Sequence, residues 1–148
     1  MRKTCCAIIA TLMALGLPTQ SAHAQQSPPE FAGSWTFKAW IGQGCEFTGI
    51  ARISPVPRED GTHSCELTAN QSCELQDWTV RQTCSATPQG NQLRIQSTIV
   101  EFIGADATNG YLPDNFLLTI DSAKRMFGAL HSVGIYKAEW IRDEGVTS

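Results

Sequence analysis

Covalent catalysis needs a nucleophile, a base and a group that orients the base, all within reach of one another. Bases are scarce here. Beyond the first 24 residues the histidines are His63 and His131. His63 stands beside a turn signal and ahead of a cysteine, and His131 lies between Leu130 and Ser132. Both read as structural or surface residues. Neither Gly-x-Ser-x-Gly nor His-Glu-x-x-His occurs. Carboxylates pair only as sequence neighbours, Glu59-Asp60 and Asp143-Glu144, beside a turn and near the C-terminus, where they read as solvated charge. Gly42-x-Gly44 lacks the strand-to-helix setting of a phosphate loop and reads as a turn. No catalytic residue, metal site or cofactor is assigned, and the chain is expected not to be an enzyme.

Cysteine is the remaining reactive residue type. The N-terminal segment carries a positive Arg2-Lys3, an apolar run Cys5–Leu17 and a small-x-small site Ala22-His23-Ala24. That is the pattern of a secretory signal peptide over 1–24, cleaved after Ala24. It predicts a periplasmic or secreted protein. Cys5 and Cys6 leave with it. The four cysteines that remain are Cys45, Cys65, Cys73 and Cys84, an even number in an exported chain, which reads as two disulfides. No Cys-x-x-Cys spacing supports a zinc site. Three connectivities are open to four cysteines. A hairpin turning in Pro55–Thr62 sets Cys45 level with Cys73, and a second turning near Ala69–Leu75 brings Cys65 to Cys84. The expected bridges are therefore Cys45–Cys73 and Cys65–Cys84.

Composition narrows the function classes. Of 148 residues, 42% are hydrophobic and 17% charged, and the net charge is −3. Loss of Arg2 and Lys3 with the leader makes the remainder more acidic. That balance disfavours nucleic acid as a partner. After the leader no second long apolar run follows, so no membrane anchor is expected.

Period-2 alternation dominates the rest of the chain. Trp35, Phe37, Ala39 and Ile41 alternate with polar residues, as do Phe47, Gly49, Ala51 and Ile53. Further strands are predicted at His63–Thr68, Trp78–Ser85, Leu93–Phe102, Phe116–Asp121, Arg125–Val133 and Ile135–Arg142. Pro55–Gly61, Thr87–Asn91, Asp121–Lys124 and Gly134 read as turns, and Ala105–Asp114 as a longer loop with room for a helical turn near Ala105–Gly110. Eight short strands in meander order predict an all-β fold, a single antiparallel up-and-down eight-stranded barrel stapled by disulfides. It should span 31–143, preceded by an extended arm over 25–30 (Gln25, Gln26, Ser27, Pro28, Pro29, Glu30) and followed by a tail, 144–148. A barrel of this size is filled by side chains or holds one small ligand. Trp40, out of phase with Trp35, should face outward, and with Ile50 it suggests an exposed patch for a partner.

Gly33-Ser34-Trp35 on the first strand and Glu139-Trp140-Ile141-Arg142 on the last resemble the lipocalin-like, or calycin, barrels. The resemblance implies that Arg142 lies across Trp35 and closes one barrel end. Ala32–Thr36, Cys45-Glu46-Phe47, Ser72-Cys73, Trp78 and Thr87-Pro88-Gln89-Gly90 resemble the bacterial periplasmic inhibitors of serralysin-type metalloproteases. That second resemblance implies a disulfide at Cys45 and Cys73 and an arm, Gln25–Glu30, that enters a protease cleft. Cys65 and Cys84 have no counterpart in it, and an N-terminal Gln25 can cyclise and lose the amine that would meet zinc. The leading expectation is a periplasmic inhibitor of secreted metalloproteases. The alternative is a binder of a small apolar ligand at the barrel mouth, with inward Phe37 and Phe116 as contacts.

Overall fold

The computed structural model describes residues 29–42, 44–104 and 110–145. The proposed leader (1–24), arm residues Gln25–Pro28, most of the Ala105–Gly110 segment and the last three residues lie outside them.

Eight strands follow in order: β1 (Gly33–Ala39), β2 (Cys45–Pro57), β3 (His63–Cys73), β4 (Gln76–Gln89), β5 (Gln92–Ile103), β6 (Asn115–Ser122), β7 (Arg125–His131) and β8 (Ile135–Arg142). Each pairs antiparallel with the next, and β8 pairs with β1, so the sheet closes into an up-and-down barrel. Alternation sets the faces, because successive strand side chains point to opposite sides. On β1, Trp35, Phe37 and Ala39 are buried while Thr36 and Lys38 face out.

The strands run longer than the turn residues suggest. Pro55 and Pro57 belong to β2, where the register to β3 shifts between Ile53 and Pro57. Such a bulge drops ladder hydrogen bonds, so prolines lacking an N–H fit there. The β2–β3 turn is consequently Arg58–Thr62, with Arg58 accepting from Gly61 N at 3.0 Å. Pro88 lies in β4 opposite Leu93, and only Gly90 and Asn91 make the next turn.

Both expected bridges are present, each between directly opposed residues: Cys45–Cys73 with Cα atoms 4.2 Å apart and Cys65–Cys84 at 4.8 Å. By restricting the unfolded chain, each contributes about 3 kcal/mol.

Half of the barrel is solid. Trp35, Trp140, Phe47, Phe116, Ile53, Leu93, Leu118 and Met126 are fully buried. Phe37 sits at the centre, stacked on Trp140 at 5.3 Å and edge-on to Phe116 at 5.4 Å. Each such burial contributes ~1.5–3 kcal/mol. Gly49 makes room for this cluster. A Cβ there would lie 2.2 Å from the tip of Phe37 and 2.3 Å from the Thr68 carbonyl.

The outer face carries paired charges. Lys38 and Arg125 both pair with Glu139, at 3.2 and 2.9 Å, and Arg81 pairs with Glu101 at 2.7 Å.

Candidate functional site

The two ends of the barrel differ. One end holds the β2–β3, β4–β5 and β6–β7 turns and both chain entries. Here the Arg142 guanidinium lies over the Trp35 ring at 4.3 Å. It donates to the Ala32 carbonyl at 2.7 Å and to the carbonyls of Glu30 and Ala123. Trp35 Nε1 donates to the Phe31 carbonyl at 2.9 Å, and Ala32 N donates to Pro29 O at 2.9 Å. Phe31 is buried edge-on against His63, whose Nδ1 sits 2.8 Å from the Ser54 carbonyl. Gly33 has φ 115°, a left-handed value that favours glycine, and a Cβ there would come within 2.6 Å of Arg142. Gly-Ser-Trp and the terminal Arg thus build one closed end. The turn begins at Pro29, so Pro29 and Glu30 belong to this cap rather than to a free arm.

At the opposite end the interior is open. A cavity of about 190 Å3 lies there, walled by Phe47, Leu130, Tyr136, Ile41, Gln71 and Asp114 together with Cys45, Ser132 and Val133. Phe37 and Phe116 face inward but belong to the packed half and do not line this cavity.

Asp114 is the unusual group in this wall. The β6 strand starts only at Asn115 and pairs with just Gln92–Ile95 of β5, so the chain before it folds inward. Asn115 Oδ1 accepts from Ser97 N at 2.8 Å, and Ser97 Oγ donates to the Asp114 carbonyl at 2.6 Å. These contacts replace the missing ladder. The Asp114 carboxyl is 1% exposed. Its Oδ2 accepts from Gln82 Nε2 at 2.5 Å and from Tyr111 OH at 2.7 Å, and its N–H donates to Gln82 Oε1 at 3.0 Å. Its Oδ1 is buried with no partner among the described residues. The Ser132 hydroxyl is near enough to favour the carboxylate, and it also lies 3.2 Å from the Leu112 carbonyl, to which it can donate instead. Burial pushes the Asp114 pKa up to about 6, and the bonds from Tyr111, Gln82 and Ser132 offset only part of that. Burial and the neighbouring carboxyl push Tyr111 upward too, so it stays a hydroxyl donor.

Exposed aliphatic side chains ring this open end. Leu75, 98% exposed, comes from the β3–β4 turn, Ile103 from the end of β5, Leu112 from the β5–β6 connection, Val133 from the β7–β8 turn and Ile135 from the start of β8. Turns at the closed end present Arg58, Glu59, Asp60, Asn91 and Lys124 instead. Trp40 faces out, as its phase requires, with Lys38 and Lys137 ammoniums 5.0 and 5.1 Å from its ring centre. Ile50 is exposed as well, but it opposes Thr36 and borders a different groove, with Arg52, Thr68 and Arg81, so the two do not form one patch. Among the described residues no group of three or more His, Cys, Asp or Glu is placed to hold a metal ion.

Gln82, Tyr111 and Asp114 were not singled out by residue type. Gln82 did carry a signal, because it shares the inward phase of Val80, Cys84 and Ala86 and is polar. Asp114 and Tyr111 fall in loop sequence, where no periodicity assigns a face.

No family model matches this chain, and no curated protein matches it. Among solved structures it is similar to a de novo designed fluorescence-activating β-barrel. The TM-score is 0.50 at 16% identity, over 77% of this chain and 94% of the designed one. At that identity the likeness is one of fold: a closed eight-stranded antiparallel barrel.

Proposed function

We propose that this is a binding protein rather than an enzyme, and that it takes a compact ligand, about one ring in size, into the open end of the barrel. The observation that carries this reading is the cavity of about 190 Å3, with Phe47, Tyr136, Leu130 and Ile41 in its wall, above a solid lower half. Drug-sized ligands occupy about 300–1,000 Å3, whereas an apolar cavity of about 150 Å3 accepts benzene. The ring of exposed aliphatic residues around the mouth offers an apolar ligand a path inward. The fold likeness to a fluorescence-activating barrel supports a binding role for this architecture. Toluene should raise the melting temperature and shift the methyl resonances of Leu130 and Ile41, and Ile41→Trp, which fills the mouth, should suppress both effects. Unchanged resonances at millimolar toluene would overturn the reading.

A second reading, inhibition of a secreted serralysin-type zinc protease, is favoured by the clamp on Pro29 and Glu30, which anchors at the closed end the residues that directly follow the proposed arm segment Gln25–Pro28. Processing after Ala24 and export to the periplasm belong to this reading, and two disulfides fit an oxidising compartment. Because Pro29 and Glu30 are part of the cap, the informative deletion removes Gln25–Pro28 only. The processed chain should slow such a protease, and the deletion should abolish inhibition with an unchanged melting curve. An intact chain that leaves the protease at full rate removes this function.

A further inference from the structure

We propose that the open-end cavity is selective for a compact organic cation, an ammonium or amidinium carried on a single ring, which pairs with Asp114. This rests on the cavity being a ligand site. The geometry points to a cation for three reasons. Asp114 Oδ2 already takes two hydrogen bonds, from Gln82 and Tyr111, while buried Oδ1 takes none among the described residues. A carboxylate held this way has acceptor capacity left, and the neutral donor beside it, the Ser132 hydroxyl, is shared with the Leu112 carbonyl. Next, among the described residues no Lys, Arg or His walls the cavity, and none pairs with Asp114. A buried carboxylate without a counter-charge is costly, and a ligand that supplies both the charge and the donor removes that cost. Finally, the Phe47 and Tyr136 rings share the wall, and aromatic faces attract cations as well as apolar rings.

The fit sets the size of the ligand. The cavity accommodates one ring and a short polar arm, and its other polar wall groups, Gln71 and Ser132, are neutral. An anion would meet the Asp114 carboxylate directly and is rejected.

The test uses three probes of one shape: toluene, benzyl alcohol and benzylamine, titrated at pH 7.5 by calorimetry and by thermal shift. Benzylamine, protonated at this pH, should bind roughly ten- to hundredfold more tightly than benzyl alcohol, the usual span for a hydrogen bond to a charged group. Asp114→Asn keeps an acceptor for Gln82 and Tyr111 and should erase that preference while toluene binding stays unchanged. Ser132→Ala should keep the preference, and its loss there would name Ser132 as the recognising group and overturn the proposal. Toluene binding without any preference for benzylamine would also overturn it, while leaving the cavity as a ligand site. If no probe binds, the cavity reading itself fails, and this proposal with it.

Discussion

Asp114→Asn should change the stability of the unliganded protein in opposite senses at the two ends of the pH range. In the folded protein the Asp114 carboxyl has its pKa raised from 3.8 to about 6, chiefly by burial. The folded state therefore holds a proton there that the unfolded chain gives up above pH 4. Stability from this site is fully present below about pH 4 and is lost as pH rises through about 6. The gap between 3.8 and about 6 corresponds to about 3 kcal/mol, developed in full by pH 8. Asparagine cannot ionise, so it escapes that loss. Its amide NH2 replaces Oδ1, which has no hydrogen-bond partner among the described residues, and a poorly paired NH2 there costs about 1 kcal/mol at every pH. The groups that face the carboxyl are Gln82 from β4, Tyr111 from the β5–β6 connection and Ser132 from the β7–β8 turn, and none of them carries charge in this range. At pH 4 the variant should be slightly less stable than wild type, and at pH 8 more stable by about 2 kcal/mol. Urea midpoints across pH 4–8 measure the swing. A constant difference would mean that Asp114 is hydrated and ionises normally, which would also remove its claim on a cation.

How much of this was legible in the chain depends on what each feature rests on. The barrel was legible because alternation is local. The phase of Trp35 against Trp40 sorts inside from outside with no knowledge of neighbours. The disulfides were legible because hairpin turns set cross-strand register, which opposes Cys45 to Cys73 and Cys65 to Cys84. Pro55, Pro57 and Pro88 misled at the strand ends, since proline signals a turn unless a bulge or an unneeded N–H accommodates it, and only the neighbouring strand decides that. Trp40 and Ile50 share an outward phase but not a neighbourhood, and distance along a sheet is set by register. The Asp114 site depends on a mismatch in length, with β5 running on past the start of β6 and the freed chain turning inward. Nothing local encodes that difference. The inward Gln82 was the one visible trace of it.

Replacing Arg142 with Ala should destabilise the protein by about 2–3 kcal/mol, the result of cutting several ties at one point. The guanidinium covers the Trp35 ring at 4.3 Å and donates to three carbonyls, those of Ala32, Glu30 and Ala123. The stacking contributes roughly 0.5–2 kcal/mol, and hydrogen bonds from a charged donor about 1.5–3 kcal/mol each before solvent screening. Arg142 is partly exposed, so screening removes part of that sum, and the contributions overlap, which brings the expectation down to the stated range. The bonds also tie the β6–β7 turn and the Glu30–Ala32 turn to the last strand, and with them the buried Phe31 plug. Arg142→Lys separates charge from shape. Lysine keeps a cation above Trp35, but its single ammonium cannot replace a planar fork spanning three acceptors. It should therefore recover only the stacking contribution, roughly 1 kcal/mol. Urea unfolding with an unchanged slope gives the values. A lysine variant as stable as wild type would mean that charge alone closes this end. An alanine variant within about 0.5 kcal/mol of wild type would mean that Trp35, Phe31 and Gly33 close it without Arg142.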